Sequence, residues 1–160
     1  MKIGMHHLHL FILLFAASSL LFQFPPEAFA ATPSDITVTD TEIDGVNGFT
    51  ELGTAINVAT FTIGSSTYAI VLGHDDNGVQ IIDISDPANI VATDSETDGA
   101  NGFDVLDGAI DVDTFTIGSS TYAIVVAQDD NGVQIIDISD PTNIVAKDSE
   151  TDGENGFDEL

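Results

Sequence analysis

The sequence predicts an all-β protein: tandem four-stranded antiparallel blades of a β-propeller, incomplete, with about two blades in the chain. Three observations support this fold class. A long segment repeats almost unchanged, each repeat holds four short runs rich in β-branched and aromatic residues, and no helical periodicity appears after the first thirty residues. An eight-stranded β-sandwich is the main alternative. The repeat favours blades, because radial repetition uses near-identical units whereas a sandwich does not require them.

The repeat has a period of 54 residues. Residues 61–71 recur letter for letter at 115–125, and residues 75–87 recur in the same way at 129–141. A short acidic loop, residues 44–49, returns later in the chain. The loop recurs at 98–103 and at 152–157. The repeat region spans residues 31–160 and divides into repeat 1 at about 44–97, repeat 2 at about 98–151 and a partial third repeat at 152–160.

The four runs of each repeat are predicted to be strands bounded by turn signals. Gly64 opens the first turn, and Pro87 ends the third strand because proline cannot donate to a ladder. Asn77-Gly78 predicts a hairpin between the second and third strands, since both residues accept positive φ. The predicted strands are residues 55–63, 67–72, 79–84 and 89–93 in the first repeat, and 109–117, 121–126, 133–138 and 143–147 in the second.

Residues 1–30 are predicted to be a secretory signal peptide. Lys2 gives a positive start, an apolar run follows at about 8–24, and Ala28-Phe29-Ala30 is a small-x-small cleavage site. A retained membrane anchor is the alternative, but a spanning helix needs about 20 apolar residues and this run is shorter. We therefore expect a secreted protein, extracytoplasmic or at the cell surface, with no membrane span once the leader is cleaved.

Acidic residues dominate the charge of the chain. It has 27 Asp and Glu against 2 Lys and Arg, which gives a net charge of −25. Such a field repels phosphate backbones, so nucleic acid is excluded as a partner, and it attracts cations. Cysteine is absent. Stability must therefore come from sheet packing, from bound ions or from further copies of the repeating unit.

The hairpin of each repeat resembles a known family. Thr67–Val71 followed by Asp76–Pro87, with their copies within Thr121–Pro141, resembles the strand and hairpin pattern of the LVIVD-repeat proteins of bacterial and archaeal surfaces. The resemblance covers most of residues 55–147. It implies a β-propeller-type repeat and an extracytoplasmic location, and it implies no catalytic residues. The joint between repeats is longer and more acidic than the family pattern. Since propellers typically need about 4–8 blades, we expect further blades from a longer chain or from self-association.

The acidic segments between repeats resemble calcium-binding loops. The pattern D-x-[DN]-x-[DN]-G-x5-E converges alternate carboxylates on one ion, and Ca²⁺ takes about six to eight oxygens. Each segment deviates by having Glu at the third position, and the middle copy has Val105 in place of the last ligand. The candidate calcium ligands are Asp40, Glu42, Asp44, Glu51, Asp94, Glu96, Asp98, Asp148, Glu150, Asp152 and Glu159. The open alternative is a solvated charged turn, because Asp, Asn, Gly and Ser are ordinary turn residues.

No residue pattern indicates an enzyme. His74 has no catalytic partners and is replaced by Gln128 in the second repeat. The carboxylate pairs Asp75-Asp76 and Asp129-Asp130 precede Asn-Gly turns, where Asp is common. We therefore expect a binding or scaffold module with a protein or glycan ligand. A structural adhesin or envelope-layer component, and a fragment of a larger extracellular hydrolase, are the alternatives.

Overall fold

The structure of the protein is a computed structural model that describes residues 37–158. The predicted leader, residues 1–30, and Glu159 lie outside the described residues. Residues 37–158 form eight strands and no helix, which confirms the all-β prediction. The strands are β1 (Ala55–Ile63), β2 (Ser66–Gly73), β3 (Gly78–Asp83), β4 (Val91–Thr97), β5 (Ala109–Ile117), β6 (Ser120–Ala127), β7 (Gly132–Asp137) and β8 (Val145–Thr151). This part of the chain accordingly offers no helix that is long and apolar enough to cross a membrane.

The strands form two four-stranded antiparallel sheets, which we call blade 1 (β1-β2-β3-β4) and blade 2 (β5-β6-β7-β8). Neighbours in each sheet are neighbours in sequence, so each blade is a meander. The registers match: Phe61 pairs with Tyr68 in blade 1, and Phe115 pairs with Tyr122 in blade 2. Their rings stack with centroids 5.5 and 5.6 Å apart. Equivalent segments thus adopt the same conformation, as two blades of an incomplete propeller do.

The fourth strand of each blade departs from the prediction. Residues 89–93 and 143–147 were expected, but β4 and β8 start two residues later and end four residues later. The start is delayed because the turn after the third strand continues to Asn89, whose amide donates to the carbonyl of Asp86 at 3.0 Å. The end is extended because Glu96 still pairs with Val79 in the β3–β4 ladder. An outer strand accommodates acidic residues, since its charged side chains can reach solvent.

The hairpin between β2 and β3 also differs from expectation. Asn77 is left-handed, with φ of 54°, but Gly78 is already the first residue of β3 and has no positive φ. Glycine is needed there for space. A Cβ on Gly78 would lie 2.8 Å from the carbonyl oxygen of Glu96 and even nearer to the Glu51 carboxylate. The backbone of blade 1 is therefore closely approached from two sides at this end.

The largest hydrophobic core lies between the two blades. We define the front of blade 1 by Ile70, Leu72, Val79 and Ile81, and the back of blade 2 by Ala123, Val125, Ile136 and Ile138. Because side chains alternate along a strand, each blade has a front face and a back face. In the core, the front of blade 1 packs on the back of blade 2. Phe103 and Leu106, from the loop before β5, complete it. Each large apolar side chain buried here contributes about 1.5–3 kcal/mol.

The back of blade 1 carries a smaller core. Phe49, from the loop before β1, packs there with Ala69 and Ile82, flanked by partly buried apolar side chains. This position of Phe49 repeats that of Phe103 on blade 2. The loop before each blade therefore places one phenylalanine on the back of the sheet that follows it.

Candidate functional site

The predicted ligands that the structure describes lie in three joint segments, which we define as residues 37–52, 91–106 and 145–158. The prediction that these acidic residues form loops is wrong for part of the set. Asp94 and Glu96 belong to β4, and Asp148 and Glu150 belong to β8. Hydrogen bonding to the third strand of each blade continues through these residues, so the extended backbone replaces the tight turn that the motif requires.

The first acidic residue of the first two joints accepts a hydrogen bond from a backbone amide of the blade beside it. The Ile90 amide donates to Asp40 Oδ2 at 2.8 Å, and the Ile144 amide donates to Asp94 Oδ2 at 2.7 Å. Ile144 precedes β8, so Asp94 links blade 1 to blade 2. Asp148, the third equivalent, is exposed and accepts a bond from the adjacent Ser149 amide at 3.2 Å. The aspartate at this position therefore acts as a clamp between consecutive repeats.

The glutamate at the third position binds a turn asparagine. In all three joints the asparagine Nδ2 donates to a glutamate Oε2, and each asparagine is left-handed, with φ between 47° and 54°. The pairs are Asn47 with Glu42 at 3.0 Å, Asn101 with Glu96 at 2.9 Å, and Asn155 with Glu150 at 2.7 Å. This contact gives a structural reason for the glutamate that departed from the calcium pattern, because it spans five residues to reach the turn.

The aspartate at the fifth position of the calcium pattern also accepts a hydrogen bond from a backbone amide in the first two joints. The Leu52 amide donates to Asp44 Oδ1 at 3.2 Å, and the Leu106 amide donates to Asp98 Oδ1 at 3.0 Å. These bonds close the loop that carries the buried phenylalanine onto the back of each blade. Asp152 lies just after β8, in the equivalent place of the third joint.

Glu51 is the exception among the acidic residues. Its side chain is only 9% exposed, and its Oε2 is a buried oxygen without a hydrogen bond to any described residue. Burial, followed by the nearby carboxylates of Asp76, Asp44 and Glu96, raises the pKa of Glu51 to about 7. In blade 2 the same position is the buried Val105. The first joint therefore holds a carboxyl group where the second holds an aliphatic side chain.

These contacts bear on how the joints could hold a cation. Residues 37–158 contain no group of three or more Asp, Glu, His or Cys side chains arranged to hold a metal ion. The orphaned Oε2 of Glu51 is the atom that a cation could satisfy, whereas the clamp and turn oxygens already accept protein hydrogen bonds. Glu159 lies outside the described residues. Binding of Ca²⁺ to the joints stays a prediction, and Glu51 is the residue around which it is best framed.

One aspartate of each carboxylate pair at the hairpin turns accepts a hydrogen bond from a backbone amide. The Gly53 amide donates to Asp76 Oδ2 at 2.5 Å, and the Asp107 amide donates to Asp130 Oδ2 at 2.8 Å. Asp75 accepts a bond from the Thr54 hydroxyl, which lowers the pKa of Asp75. These contacts fasten each hairpin to the loop before the same blade.

Sequence reasoning missed two buried glutamines that organise the joints. Gln80 Oε1 accepts the Thr50 amide at 3.0 Å, and Gln80 Nε2 donates to the Asp94 carbonyl at 2.8 Å. Gln134 repeats both bonds in blade 2, with the Asp104 amide at 3.2 Å and the Asp148 carbonyl at 2.8 Å. The available signal was a polar residue kept unchanged in both copies of an otherwise apolar strand.

Comparison with known proteins adds the family. A search of curated proteins found no match to the chain. The family model described as LVIVD repeat matches residues 66–95 and 119–152. The first match covers β2, β3 and most of β4, and the second covers β6, β7 and β8, so each match falls on one blade. The chain therefore contains two LVIVD repeats, one on each of its two equivalent blades.

Proposed function

We propose that this LVIVD-repeat chain is a secreted or cell-surface protein that acts as a binding or scaffold module and not as an enzyme. Its ligand is a protein or a glycan. The signal-peptide pattern of residues 1–30 supports export. The net charge of −25 supports a partner that is neutral or cationic, because a field of this sign repels polyanions.

One observation carries the binding role: equivalent hairpin turns lie side by side at one end of the two blades. The Gly108 amide donates to Asn77 Oδ1 of the first turn at 3.2 Å, and the Gln128 amide of the second turn donates to the Gly108 carbonyl at 2.9 Å. Gly108 therefore connects the two turns. We call this end of the blades the rim.

The rim presents an Asp-Asp-Asn turn twice. Asp75 is exposed beside the first turn and Asp129 beside the second, each next to an aspartate that is fixed by a backbone amide. A rigid, repeated surface of this kind suits a ligand that is itself repetitive or extended, as in other repeat proteins. Ordered carboxylates also lower the entropy lost when a ligand binds.

Export is tested by locating the protein in its producing cells. We expect it outside the cytoplasmic membrane, with an N-terminus at Ala31 by mass spectrometry. A cytoplasmic protein that retains residues 1–30 would contradict this part of the proposal.

Ligand binding is tested on arrays of purified glycans and of purified extracellular proteins from the same source. The rim variant is Asp75→Asn with Asp129→Asn. The matched control is Asp86→Asn with Asp140→Asn, which removes the same two charges at the opposite end of the blades. Loss of binding in the rim variant alone supports the proposal. Equal loss in both variants would show attraction by net charge only, and no bound ligand on either array would refute the binding role.

A structural adhesin or envelope-layer role is the second candidate. The observation in its favour is the set of exposed apolar side chains on the outer face of each blade, which is described next.

A further inference from the structure

The front of blade 2 is partly exposed although its residues match the buried front of blade 1. Leu72 is fully buried at the joint between the blades, whereas Val126, its equivalent, is 38% exposed. Phe103 is 1% exposed, whereas Phe157 is 39% exposed. The front of blade 2 consists of Ile124, Val126, Val133 and Ile135, and it differs from Ile70, Leu72, Val79 and Ile81 at one position only, by one methylene group.

Two apolar cavities mark this uncovered front. One, of about 300 Å³, is lined by residues that include Ile110, Val126 and Val133. The other, of about 260 Å³, is lined by residues that include Ile135 and Phe157. In the first repeat the equivalents of Val126, Val133, Ile135 and Phe157 are buried in the core between the blades, whereas Ile56, the equivalent of Ile110, is exposed. The cavities are therefore the places that side chains of a following blade would fill.

The back of blade 1 is exposed at its β1 side, away from the small core around Phe49. Val58 is 56% exposed, whereas its equivalent Val112 is 7% exposed against blade 1. A cavity of about 360 Å³ lies beside Val58 and is lined also by Ala55 and Val71. The four residues that define the back of blade 2 have identical counterparts on the back of blade 1. These counterparts are Ala69, Val71, Ile82 and Ile84.

We propose that a second copy of this chain docks with the back of its blade 1 on the front of blade 2, repeating the joint that the structure shows inside one chain. The occupant of each uncovered face is thus seen already, as the neighbouring blade. The contact is heterologous, since it joins two different surfaces, and it leads to a ring if the rotation closes and to an open chain of molecules if it does not.

The polar contacts of the internal joint can also be repeated. Asn57 Nδ2 donates to Asp111 Oδ1 at 2.6 Å, and the Thr114 hydroxyl donates to the Thr60 carbonyl at 3.3 Å. Between copies, Asp111 of the first copy would face Asn57 of the second copy. The aspartate is then on the front side and the asparagine on the back side, but one is still an acceptor and the other a donor. Thr60 and Thr114 are the same residue type, so their bond is available in either arrangement.

Docking requires an exchange of one segment. Residues 37–50 of the second copy lie where residues 145–158 of the first copy would lie. Residues 37–43 belong to no strand, whereas β8 pairs with β7 over six positions. Residues 37–50 of the second copy are held less firmly than β8, so this segment moves away. Asp148 of the first copy then replaces Asp40 as the acceptor of the Ile90 amide in the second copy.

One residue opposes docking. Ala59 packs against the core at the front of blade 1, but the equivalent residue of blade 2 is Asp113, which is exposed. Docking brings this carboxylate towards an apolar surface in a protein that already carries a charge of −25. Association should therefore strengthen in about 1 M NaCl, where the Debye length falls to about 3 Å, and in Asp113→Ala.

The test is analytical ultracentrifugation of the purified protein over a range of concentrations up to millimolar, at low and high salt. We expect the sedimentation coefficient to rise with concentration and more steeply in high salt. Asp113→Ala should lower the concentration for half-association by tenfold or more. Monomers at every concentration, for the parent chain and for Asp113→Ala alike, would overturn the proposal.

Two blocking variants test the head-to-tail geometry. Ile117→Asp places a charge at an exposed position on the front side of blade 2, and Val58→Asp places one on the back of blade 1. Each variant alone should be monomeric, and an equimolar mixture should form a one-to-one dimer, because each partner keeps one intact face. If either variant alone still self-associates, the two faces do not meet as proposed.

The control is Val145→Asp. Val145 is 42% exposed and its equivalent Val91 is 45% exposed, so neither lies in a joint between blades. This variant should associate as the parent chain does. Ile117→Asp keeps the rim intact, so a failure of self-association and a failure of ligand binding are separate results.

Discussion

Replacing Glu51 by valine removes a carboxyl group that the fold buries without a partner. The difference between the pKa of about 7 and the ordinary value of 4.5 corresponds to a cost of about 3 kcal/mol for ionised Glu51 in the folded state. Valine fits this place, because Val105 occupies it in blade 2 beside the equivalent glycine, Gly132. Glu51→Val should therefore raise the free energy of unfolding at alkaline pH by about 3 kcal/mol.

The effect has a defined pH dependence. Since the folded pKa of Glu51 lies above the unfolded one, the stability linked to its proton is fully present below about pH 4.5 and is lost as pH rises through about 7. The groups facing Glu51 are Asp76, Asp44 and Glu96, and they are unchanged in the variant. The contributions of the other carboxyl groups to the free energy of unfolding therefore cancel when parent and variant are compared at the same pH.

The assay is urea unfolding followed by circular dichroism, at several values between about pH 5 and about pH 8. The gap between the free energies of unfolding of Glu51→Val and the parent should widen by about 2.5 kcal/mol over this range. Glu51→Gln is the control, because it removes the charge but keeps a buried polar group. It should remove the pH dependence due to Glu51 but raise the free energy of unfolding by less than Glu51→Val does. Parallel profiles for parent and Glu51→Val would refute the reasoning.

Three further predictions follow from the joints. Asp94→Ala should lower the free energy of unfolding by about 1–2 kcal/mol in urea, because the Ile144 amide loses its acceptor, whereas the exposed equivalent Asp148→Ala should change it by less than about 0.5 kcal/mol. Gln134→Leu should lower it by about 1–3 kcal/mol, since the Asp104 amide is left without its acceptor, and an unchanged midpoint would contradict that role. Calorimetric titration with Ca²⁺ should give binding heat at about 10⁻⁴–10⁻³ M if the joints bind calcium, and no heat at millimolar Ca²⁺ would end that hypothesis.

Local pattern was sufficient for the strands whose signals are local. β1 and β5 lie at the predicted residues, and the turns at Gly64 and Pro87 separate strands as expected. The fourth strands were misplaced because their extent depends on the β3–β4 and β7–β8 ladders. Pairing partners distant in sequence decided the conformation of acidic residues that, read alone, looked like a turn.

The candidate site shows the same division. The spacing of the acidic residues correctly identified the segments that join repeats, but not what those residues do. Glu42 reaches an asparagine five residues away, while Asp94 reaches an amide fifty residues away in the next blade. The first contact could be inferred from a turn pattern. The second exists only because the two blades are packed together.

By itself, the sequence determined the all-β class, the period of 54 residues and the two equivalent units, because each of these follows from alternation and repetition along the chain. Only the tertiary structure decided which copy of each repeated residue is buried. Leu72 and Val126 have nearly the same neighbours in sequence, yet one lies in the core and the other is exposed. Burial depends on what lies across the face of a sheet, and that partner belongs to another blade.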